Sequence, residues 1–240
     1  MTAVDIVEVE LTPLDQLYYV SRESGDDFST RPYVMHTALY YALGLLPSRF
    51  RVLEQTPKYQ THFEESDASE LYIHPAIPVD SVAGKYTTRR FAVKADKFRD
   101  RAEQENKNLK ETGFQRFIDP GVSFQTFVRV DGGNPDELAD KFAGYCRLGK
   151  KMTATRVRTA THTVEPTTGT FGLNHPIGNV DMNSDAYDIL GDLHMESMVP
   201  VNLITKAELD GEYVSFGPTF GSTSDPITLP THTKFLGEYQ

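Results

Sequence analysis

Three segments of the chain alternate apolar and polar residues, and they constrain the fold more than any other feature. They are Val4–Leu11, Val122–Val130 and Met152–Val164. Successive side chains of a strand point to opposite faces of its sheet, so each segment is predicted to be a strand with one buried face. Lys85–Phe98 is predicted to be a further strand.

Two helices are predicted between these strands. Pro32 can open a helix whose apolar residues follow helical spacing to about Leu43. Asn134 is predicted to cap a second helix, with Pro135 at its first position and an end near Tyr145. The order strand, helix, strand, strand, helix, strand is that of the ferredoxin-like α+β fold, which RNA-recognition modules share.

The chain length of 240 residues fits one large domain or two small ones. We expect a ferredoxin-like core over residues 1–165, with a charged, projecting insertion at about 94–116. Residues 166–240 are rich in glycine and proline and are expected to form a small extension of strands and loops packed on the core. Val199–Thr205 is the clearest strand candidate in that extension.

The composition narrows the class of protein. A formal net charge of −10 argues against indiscriminate nucleic-acid binding, because the chain as a whole repels phosphate. The sequence shows no apolar stretch near the 18 or so residues of a membrane span and no signal sequence, so we expect a cytoplasmic protein without membrane contact. The single Cys146 excludes an internal disulfide framework and a multi-cysteine metal site.

One run departs from this acidic background. Lys141–Val164 contains six Lys or Arg and no Asp or Glu. Within it, Lys150 and Lys151 follow Gly149 at a predicted corner, while Arg156 and Arg158 share one face of the next strand. Such a surface could bind phosphates, and arginine could also stack on an unpaired base. A solvated strand face beside a helix end is the alternative interpretation.

A second candidate region is the loop before the first predicted helix. Arg22 and Arg31 flank this loop, and a helix starting at Pro32 would offer free N–H groups to a phosphate. Thr30 could donate to the same ligand, or it could simply cap the helix.

The segment Leu17–Leu45 resembles the N-terminal signature of the Cas5 family of type I-D CRISPR systems, in the Csc1 branch. The residues that carry the resemblance are Tyr18–Tyr19, Ser21–Glu23, Thr30–Pro32 and Ala38–Gly44. Arg147–Lys151 and Phe216–Pro230 are similar to two further elements of the family. His36 stands where the family pattern has asparagine.

The resemblance implies a RAMP protein that caps the 5′ end of the CRISPR RNA (crRNA), without catalysis and without a cofactor. Together with the charge pattern it implies a set of RNA-binding residues, namely Arg22, Thr30, Arg31, His36, Arg147, Lys150, Lys151, Arg156 and Arg158. It also implies partners: the repeated Cas7-family backbone subunit, the large Cascade subunit, and target DNA near the protospacer-adjacent motif as a further candidate.

In the family the insertion would act as a thumb that contacts RNA or a neighbouring subunit. Its candidate residues are Lys97, Arg99, Arg101, Lys107, Lys110 and Arg116. The segment from Lys94 to Arg116 contains seven bases and five acids, which leaves a net charge of only +2. A solvated helical excursion is therefore an equal alternative.

Two other classes of function stay open at this level. A metal-independent endoribonuclease of the same fold could use His36 or His162, although the sequence has no HExxH spacing and no glycine-rich phosphate loop. In type I-D systems a separate subunit is understood to cut the RNA, so no enzyme is expected here. The third class is an acidic α+β domain with a small-molecule pocket and no role with RNA.

Overall fold

The computed structural model describes residues 2–19, 21–24, 27–46, 59–64, 66, 68–92, 112–221 and 225–237. This part of the chain is mostly β-structure with few, short helices. The strands in chain order are β1 (Val4–Pro13), β2 (Arg22–Ser24), β3 (Asp27–Ser29), β4 (Leu71–Ile73), β5 (Ile77–Pro78), β6 (Tyr86–Ala92), β7 (Thr112–Ile118), β8 (Phe124–Val130), β9 (Gly144–Leu148), β10 (Thr153–Val164), β11 (Thr167–Leu173), β12 (Ile177–Gly178), β13 (Asp188–Glu196), β14 (Leu203–Phe216) and β15 (Ile227–Pro230). The α-helices are α1 (His36–Ala42), α2 (Tyr59–Glu64) and α3 (Pro135–Phe142).

The main sheet has the strand order β4–β8–β1–β10–β9, and β5 also pairs with β8. All of these neighbours are antiparallel. The alternation of β1 turns Val7, Val9 and Leu11 to one face, where they are fully buried in a cluster with Leu39 of α1 and Phe142 of α3. Burial of such a side chain contributes about 2 kcal/mol, so this helix-covered face is the centre of the core.

A second sheet has the order β2–β3–β7–β6. Its β6 and β7 form an antiparallel pair from Tyr86↔Ile118 to Ala92↔Thr112. Residues 93–111 connect these two strands and lie outside the described residues, as do the thumb candidates Lys97, Arg99, Arg101, Lys107 and Lys110.

The C-terminal sheet is organised around the long strand β14. It pairs antiparallel with β11, β12, β13 and β15. Leu209 and Phe171 lie in its own buried cluster. None of the described helices is long and apolar enough to cross a membrane.

The three alternating segments are confirmed as β1, β8 and β10. The prediction of a single buried face is wrong for β1 and β8, whose second face is also buried. The cap of α3 is also confirmed, since the Asn134 side chain accepts a hydrogen bond from the backbone N–H of Asp136 at 3.0 Å. However, α3 ends at Phe142, because Gly144 has a φ of +115° and starts β9, a strand that the sequence reading missed.

The predicted start of the first helix at Pro32 is wrong. Val34 is paired with Ala76 through two backbone hydrogen bonds of 2.9 and 2.8 Å, which hold it in extended conformation. Helix α1 therefore starts at His36, and its N-cap Met35 makes no side-chain cap. Thr30 is not a cap.

Two strand assignments also need correction. Lys85–Phe98 was expected to be the second strand of the core, but its described part forms β6 in the second sheet. The short β4 takes the place beside β8 instead, because Tyr72 and Ile73 are buried there. In the extension, β14 starts at Leu203 and runs well beyond the predicted Val199–Thr205.

Candidate nucleic-acid interface

The face of the main sheet opposite the helices is divided into two halves. Over β1, β8 and the His162–Val164 end of β10 it is covered by the C-terminal region, and over β9 and the part of β10 at Arg156 it is open. We call these the covered half, centred on Glu8 and Arg129, and the open half, centred on Tyr145 and Arg156.

Glu8 fixes the C-terminal region to the covered half. Its fully buried carboxylate accepts hydrogen bonds from the backbone N–H groups of Thr219 and Phe220, both at 2.7 Å. Gln125 donates to it at 2.6 Å, and His162 Nε2 lies at 2.7 Å. Burial raises the pKa of Glu8, but the hydrogen bonds from His162, the two backbone groups and Gln125 outweigh this and lower it below its ordinary value.

Arg129 makes a second attachment in the covered half. Its guanidinium donates to both carboxylate oxygens of Asp131 at 2.7 Å. It also donates to the backbone oxygens of Thr231 and Thr233 and to the Thr233 hydroxyl. A buried charge left without such partners costs several kcal/mol, so Arg129 ties the main sheet to the C-terminal segment.

Asp181 makes a third attachment, and it includes His36. The Asp181 carboxylate accepts from the Tyr72 hydroxyl at 2.9 Å and from the Leu236 backbone at 2.8 Å. His36 Nε2 lies 3.2 Å from the same carboxylate, with its side chain fully buried. Burial lowers the pKa of His36, and Asp181 opposes this shift. Because His36 is fully buried, it presents no atom to an external RNA, and the structure contradicts its predicted role in RNA binding.

The open half presents an aromatic side chain among cations. Tyr145 on β9 is 73% exposed and lies directly opposite Arg156 of β10. Arg147, two residues further along β9, points to the same face and lies diagonal to Arg156, a spacing of about 7–8 Å between Cα atoms. Sequence reasoning missed Tyr145, because β9 itself was not predicted.

The corner between β9 and β10 is fixed by contact with the loop after β1. Gly149 has a φ of +74°, and a Cβ atom there would lie 2.6 Å from the Tyr18 carbonyl oxygen. The backbone N–H of Lys150 donates to that same oxygen at 2.8 Å. The corner therefore requires glycine, and it projects Lys150 and Lys151 as exposed side chains.

A further cation joins the corner from the second sheet. Lys151 Nζ lies 4.5 Å from the centroid of the Phe117 ring, and the Arg89 guanidinium lies 5.1 Å from the same centroid. Arg89 also donates to the Gln16 side chain. The nearby Asp119 carboxylate accepts from Gln16 and Thr87. In the sequence, the pair of adjacent arginines Arg89 and Arg90 on a predicted strand was the feature that could have identified this cation.

These cations form one surface, which we call the cationic ridge. Its members are Arg89, Arg147, Lys150, Lys151 and Arg156. All are exposed, and Arg147 donates to the Met152 backbone at 3.1 Å, which brings it to the corner. None of them lies within ion-pair distance of a carboxylate in the part of the chain that the structure describes.

The other predicted arginines have different surroundings. Arg158 is paired with Glu10 at 2.5 Å and lies 4.8 Å from the Phe220 ring, at the border between the two halves. Arg31 is paired with Glu196 at 3.2 Å. Arg116 on β7 lies 3.8 Å from the centroid of the Tyr86 ring on β6. Arg22 lies on β2 opposite Ser29, and its side chain is outside the described part.

The loop before α1 does not offer a phosphate site. Thr30 is buried and its hydroxyl donates to the Tyr19 carbonyl oxygen at 2.8 Å. The first residues of α1, His36 and Thr37, are also buried. The N–H groups of Ala38 and Leu39 already donate to the Met35 carbonyl oxygen, so the structure contradicts the predicted role of this helix end.

Candidate catalytic groups are not gathered at the ridge. His162 is engaged with Glu8, and His62 Nδ1 lies 2.6 Å from the Tyr41 hydroxyl on the helical side of the chain. Among the described residues, no three His, Cys, Asp or Glu side chains form a group that could bind a metal ion. The lone Cys146 is partly buried, which raises its pKa to about 11.

Comparison with known proteins gives one clear result. The family model of the type I-D CRISPR-associated protein Cas5/Csc1 matches residues 4–238. No curated protein matches the chain. The fold overlaps with a CRISPR protein from Archaeoglobus fulgidus at 11% identity and a TM-score of 0.41, over 93% of this chain and 98% of that chain.

A second overlap is with a chain of the type III-B Cmr-beta complex bound to cognate target RNA and AMPPnP, at 11% identity and a TM-score of 0.44, over 86% of this chain and 85% of that chain. The assignment to a family depends on the sequence match, which spans nearly the entire chain. The protein thus belongs to the type I-D Cas5/Csc1 family of CRISPR-associated proteins.

Proposed function

We propose that this CRISPR effector subunit binds crRNA through the cationic ridge and caps its 5′ handle as a non-catalytic structural component. The observation that carries the proposal is the set of five exposed cations without carboxylate partners among the described residues, beside the exposed Tyr145. The net charge of the chain is −10, so attraction of an anion to this cluster comes from the local cations and not from the overall charge.

The topology supports this proposal. Strands β10, β1, β8 and β4 are adjacent in that order, with α1 after β1 and α3 after β8. We infer that they form the ferredoxin-like core of a RAMP protein. RNA-recognition modules of that topology bind single strands on the sheet face away from the helices, which here is the face that carries Tyr145 and Arg156.

The ridge has the chemistry for an unpaired strand. Each phosphate that a lysine or arginine neutralises releases condensed counterions, with a contribution of about −0.7 to the salt slope for single-stranded nucleic acid. Tyr145 offers a flat surface on which a base can stack, worth about 1–3 kcal/mol. Together these contacts would position a handle by its backbone and hold one base.

The proposed partners are the Cas7-family backbone subunit and the large Cascade subunit, with target DNA near the protospacer-adjacent motif as a further ligand. Residues 93–111 connect β6 to β7, and we propose that they act as the thumb toward the next subunit.

The competing function is a metal-independent endoribonuclease that processes repeat RNA. Two observations favour the non-catalytic role: His36 is fully buried, and His162 is held by the buried Glu8. Incubation of purified protein with repeat RNA in EDTA separates the two. Intact RNA agrees with a structural subunit, and cleavage lost in His162→Ala would establish the enzyme.

The proposal is tested by expressing the complete effector operon with a tag on this chain and sequencing the RNA that co-purifies. We expect small RNAs with a uniform 5′ end in amounts equal to the chain. Recovery of no RNA with a defined 5′ end would refute the capping role.

A further inference from the structure

The C-terminal sheet has a surface that differs from the ridge in both charge and polarity. Residues 166–240 contain ten Asp or Glu and two Lys, so they carry −8 of the total charge of −10. Four large apolar side chains on the single strand β13 are nevertheless 44–55% exposed. They are Ile189, Leu190, Leu193 and Met195.

The exposure of these side chains follows from irregular pairing. The register between β13 and β14 shifts after Ile189, after Gly191 and after His194, which leaves Leu190, Asp192 and Leu193 without a partner on β14. Bulges of this kind re-aim side chains. Leu190 and Leu193 therefore project from the sheet, and Asp192 adopts a φ of +48°.

Strand β13 is also an edge of its sheet among the described residues, since it pairs with β14 alone. The bulges make it a poor template for an added strand. The surface is thus suited to contact through side chains rather than through backbone pairing.

Acids lie on the outer face of the sheet beside Leu190 and Leu193, whereas Ile189 is paired with the buried Leu209 on the inner face. Asp188 lies directly opposite Asp210, and Glu208 lies opposite Gly191. Like charges placed opposite each other destabilise a sheet unless something neutralises them. Lys206 on the same face does not do so, because its ammonium group is paired with Asp192 at 3.0 Å.

We propose that the β13 surface, defined by Leu190, Leu193, Met195, Asp188, Glu208 and Asp210, docks a protein partner whose contact surface is apolar and rimmed with lysine or arginine. Contiguous exposed apolar side chains with a polar rim are typical of protein–protein contacts. The charge of this surface excludes two other occupants. It would repel crRNA, and a second copy of this chain related by a two-fold axis would bring acid against acid.

This inference depends on assembly into the effector and does not depend on RNA binding by the ridge. The test uses the complete effector, purified through a tag on this chain and treated with a carbodiimide that couples a carboxylate directly to a touching lysine. Hydrogen exchange of residues 188–196 is measured in the same complex and in the free chain, and the RNA content is measured alongside.

We expect cross-links from Asp188, Glu208 or Asp210 to lysines of another effector protein, and exchange of 188–196 at least fivefold slower in the complex. Leu190→Ser with Leu193→Ser should reduce these cross-links at least tenfold. The matched control is Leu14→Ser with Val180→Ser, which changes two apolar residues exposed by 54% and 41% elsewhere and should have no effect.

Four results overturn the inference: equal exchange of 188–196 with no cross-links, cross-links between two copies of this chain, protection of 188–196 by crRNA alone, or failure of the wild-type chain to enter the complex. A complex that keeps the cross-links but lacks 5′-defined RNA would overturn the proposed function and leave this inference standing. A complex that contains 5′-defined RNA but leaves β13 unprotected from exchange would overturn this inference and leave the proposed function standing.

Discussion

The covered and open halves of the main sheet belong to the same face, but charged side chains are buried and paired in the covered half and exposed in the open half. In the covered half, the charges of Glu8 and Arg129 are buried and each is surrounded by matching donors or acceptors. In the open half, Arg147 and Arg156 are exposed and lack carboxylate partners among the described residues. The C-terminal region therefore covers one half of this face and leaves the other half accessible to a ligand.

Removal of the Glu8 carboxylate should detach the C-terminal region from the covered half, and we expect this change to cost the most free energy. Glu8→Ala leaves two backbone N–H groups, Gln125 and His162 without their acceptor, so we expect the free energy of unfolding to fall by about 3 kcal/mol. Urea denaturation measures this. The control is Glu165→Ala, which removes an exposed carboxylate and should change stability by less than about 0.5 kcal/mol. A loss below about 1 kcal/mol in Glu8→Ala would contradict the role of the covered half.

Charge reversal in the open half should remove RNA binding without loss of the fold. Lys150→Glu with Arg156→Glu replaces two attractive contacts by repulsive ones, so crRNA affinity should fall about 100-fold at moderate salt. The control is Lys206→Glu with Lys234→Glu, which changes the net charge equally in the C-terminal region, on β14 and after β15. Equal losses in both double variants would show that only the total charge matters.

Substitutions of Tyr145 distinguish base stacking from phosphate binding in the open half. Tyr145→Ala should weaken binding of single-stranded handle RNA about tenfold, while Tyr145→Phe keeps the ring and should stay within about twofold of wild type. The salt slope should be unchanged in both variants, since neither removes a cation. A matching loss in Tyr145→Phe would mean that the hydroxyl, rather than the ring, makes the contact.

The smallest predicted effect concerns the junction between the main sheet and the C-terminal region. His175 is fully buried and its Nε2 lies 2.8 Å from the Pro75 carbonyl oxygen. Burial lowers its pKa from 6.5 to about 3. Because the unfolded chain then binds the proton more tightly, the stability is complete above pH 6.5 and falls below it, by about 1 kcal/mol between pH 6.5 and 5.5.

Unfolding in urea at several pH values checks this prediction. His175→Gln should show a shallower decline between pH 6.5 and 5.5 than the wild type, whatever its absolute stability. Identical slopes in wild type and His175→Gln would contradict the assigned burial. The buried His36 and His74 also have lowered pKa values and should account for the remaining slope.

Regular alternation made part of this structure predictable. Segments β1, β8 and β10 could be read directly, because each buries alternate residues against helices. The cap of α3 could be read because an Asn-Pro pair starts helices by a local mechanism. Most of the ridge cations were named for the same reason, since they lie at a glycine corner and on one face of a predicted strand.

The rest depended on contacts between distant residues. Helix α1 is shortened by the pairing of Val34 with Ala76, and no local pattern reports that pairing. The participation of Arg89 depends on Phe117 of β7 and on Lys151 at the corner between β9 and β10. The burial of His36 depends on Asp181, 145 positions away. Sequence alternation predicts a face, but only the fold decides what covers it.

The central claim is that crRNA lies along the cationic ridge. Ultraviolet cross-linking of the assembled effector, followed by mass spectrometry of RNA-linked peptides, tests it most directly. We predict links in the peptides that contain Tyr145, Lys150–Lys151 and Arg156, with Arg89 in a further linked peptide. Links confined to residues 188–196, or to other parts of the C-terminal sheet, would contradict the claim.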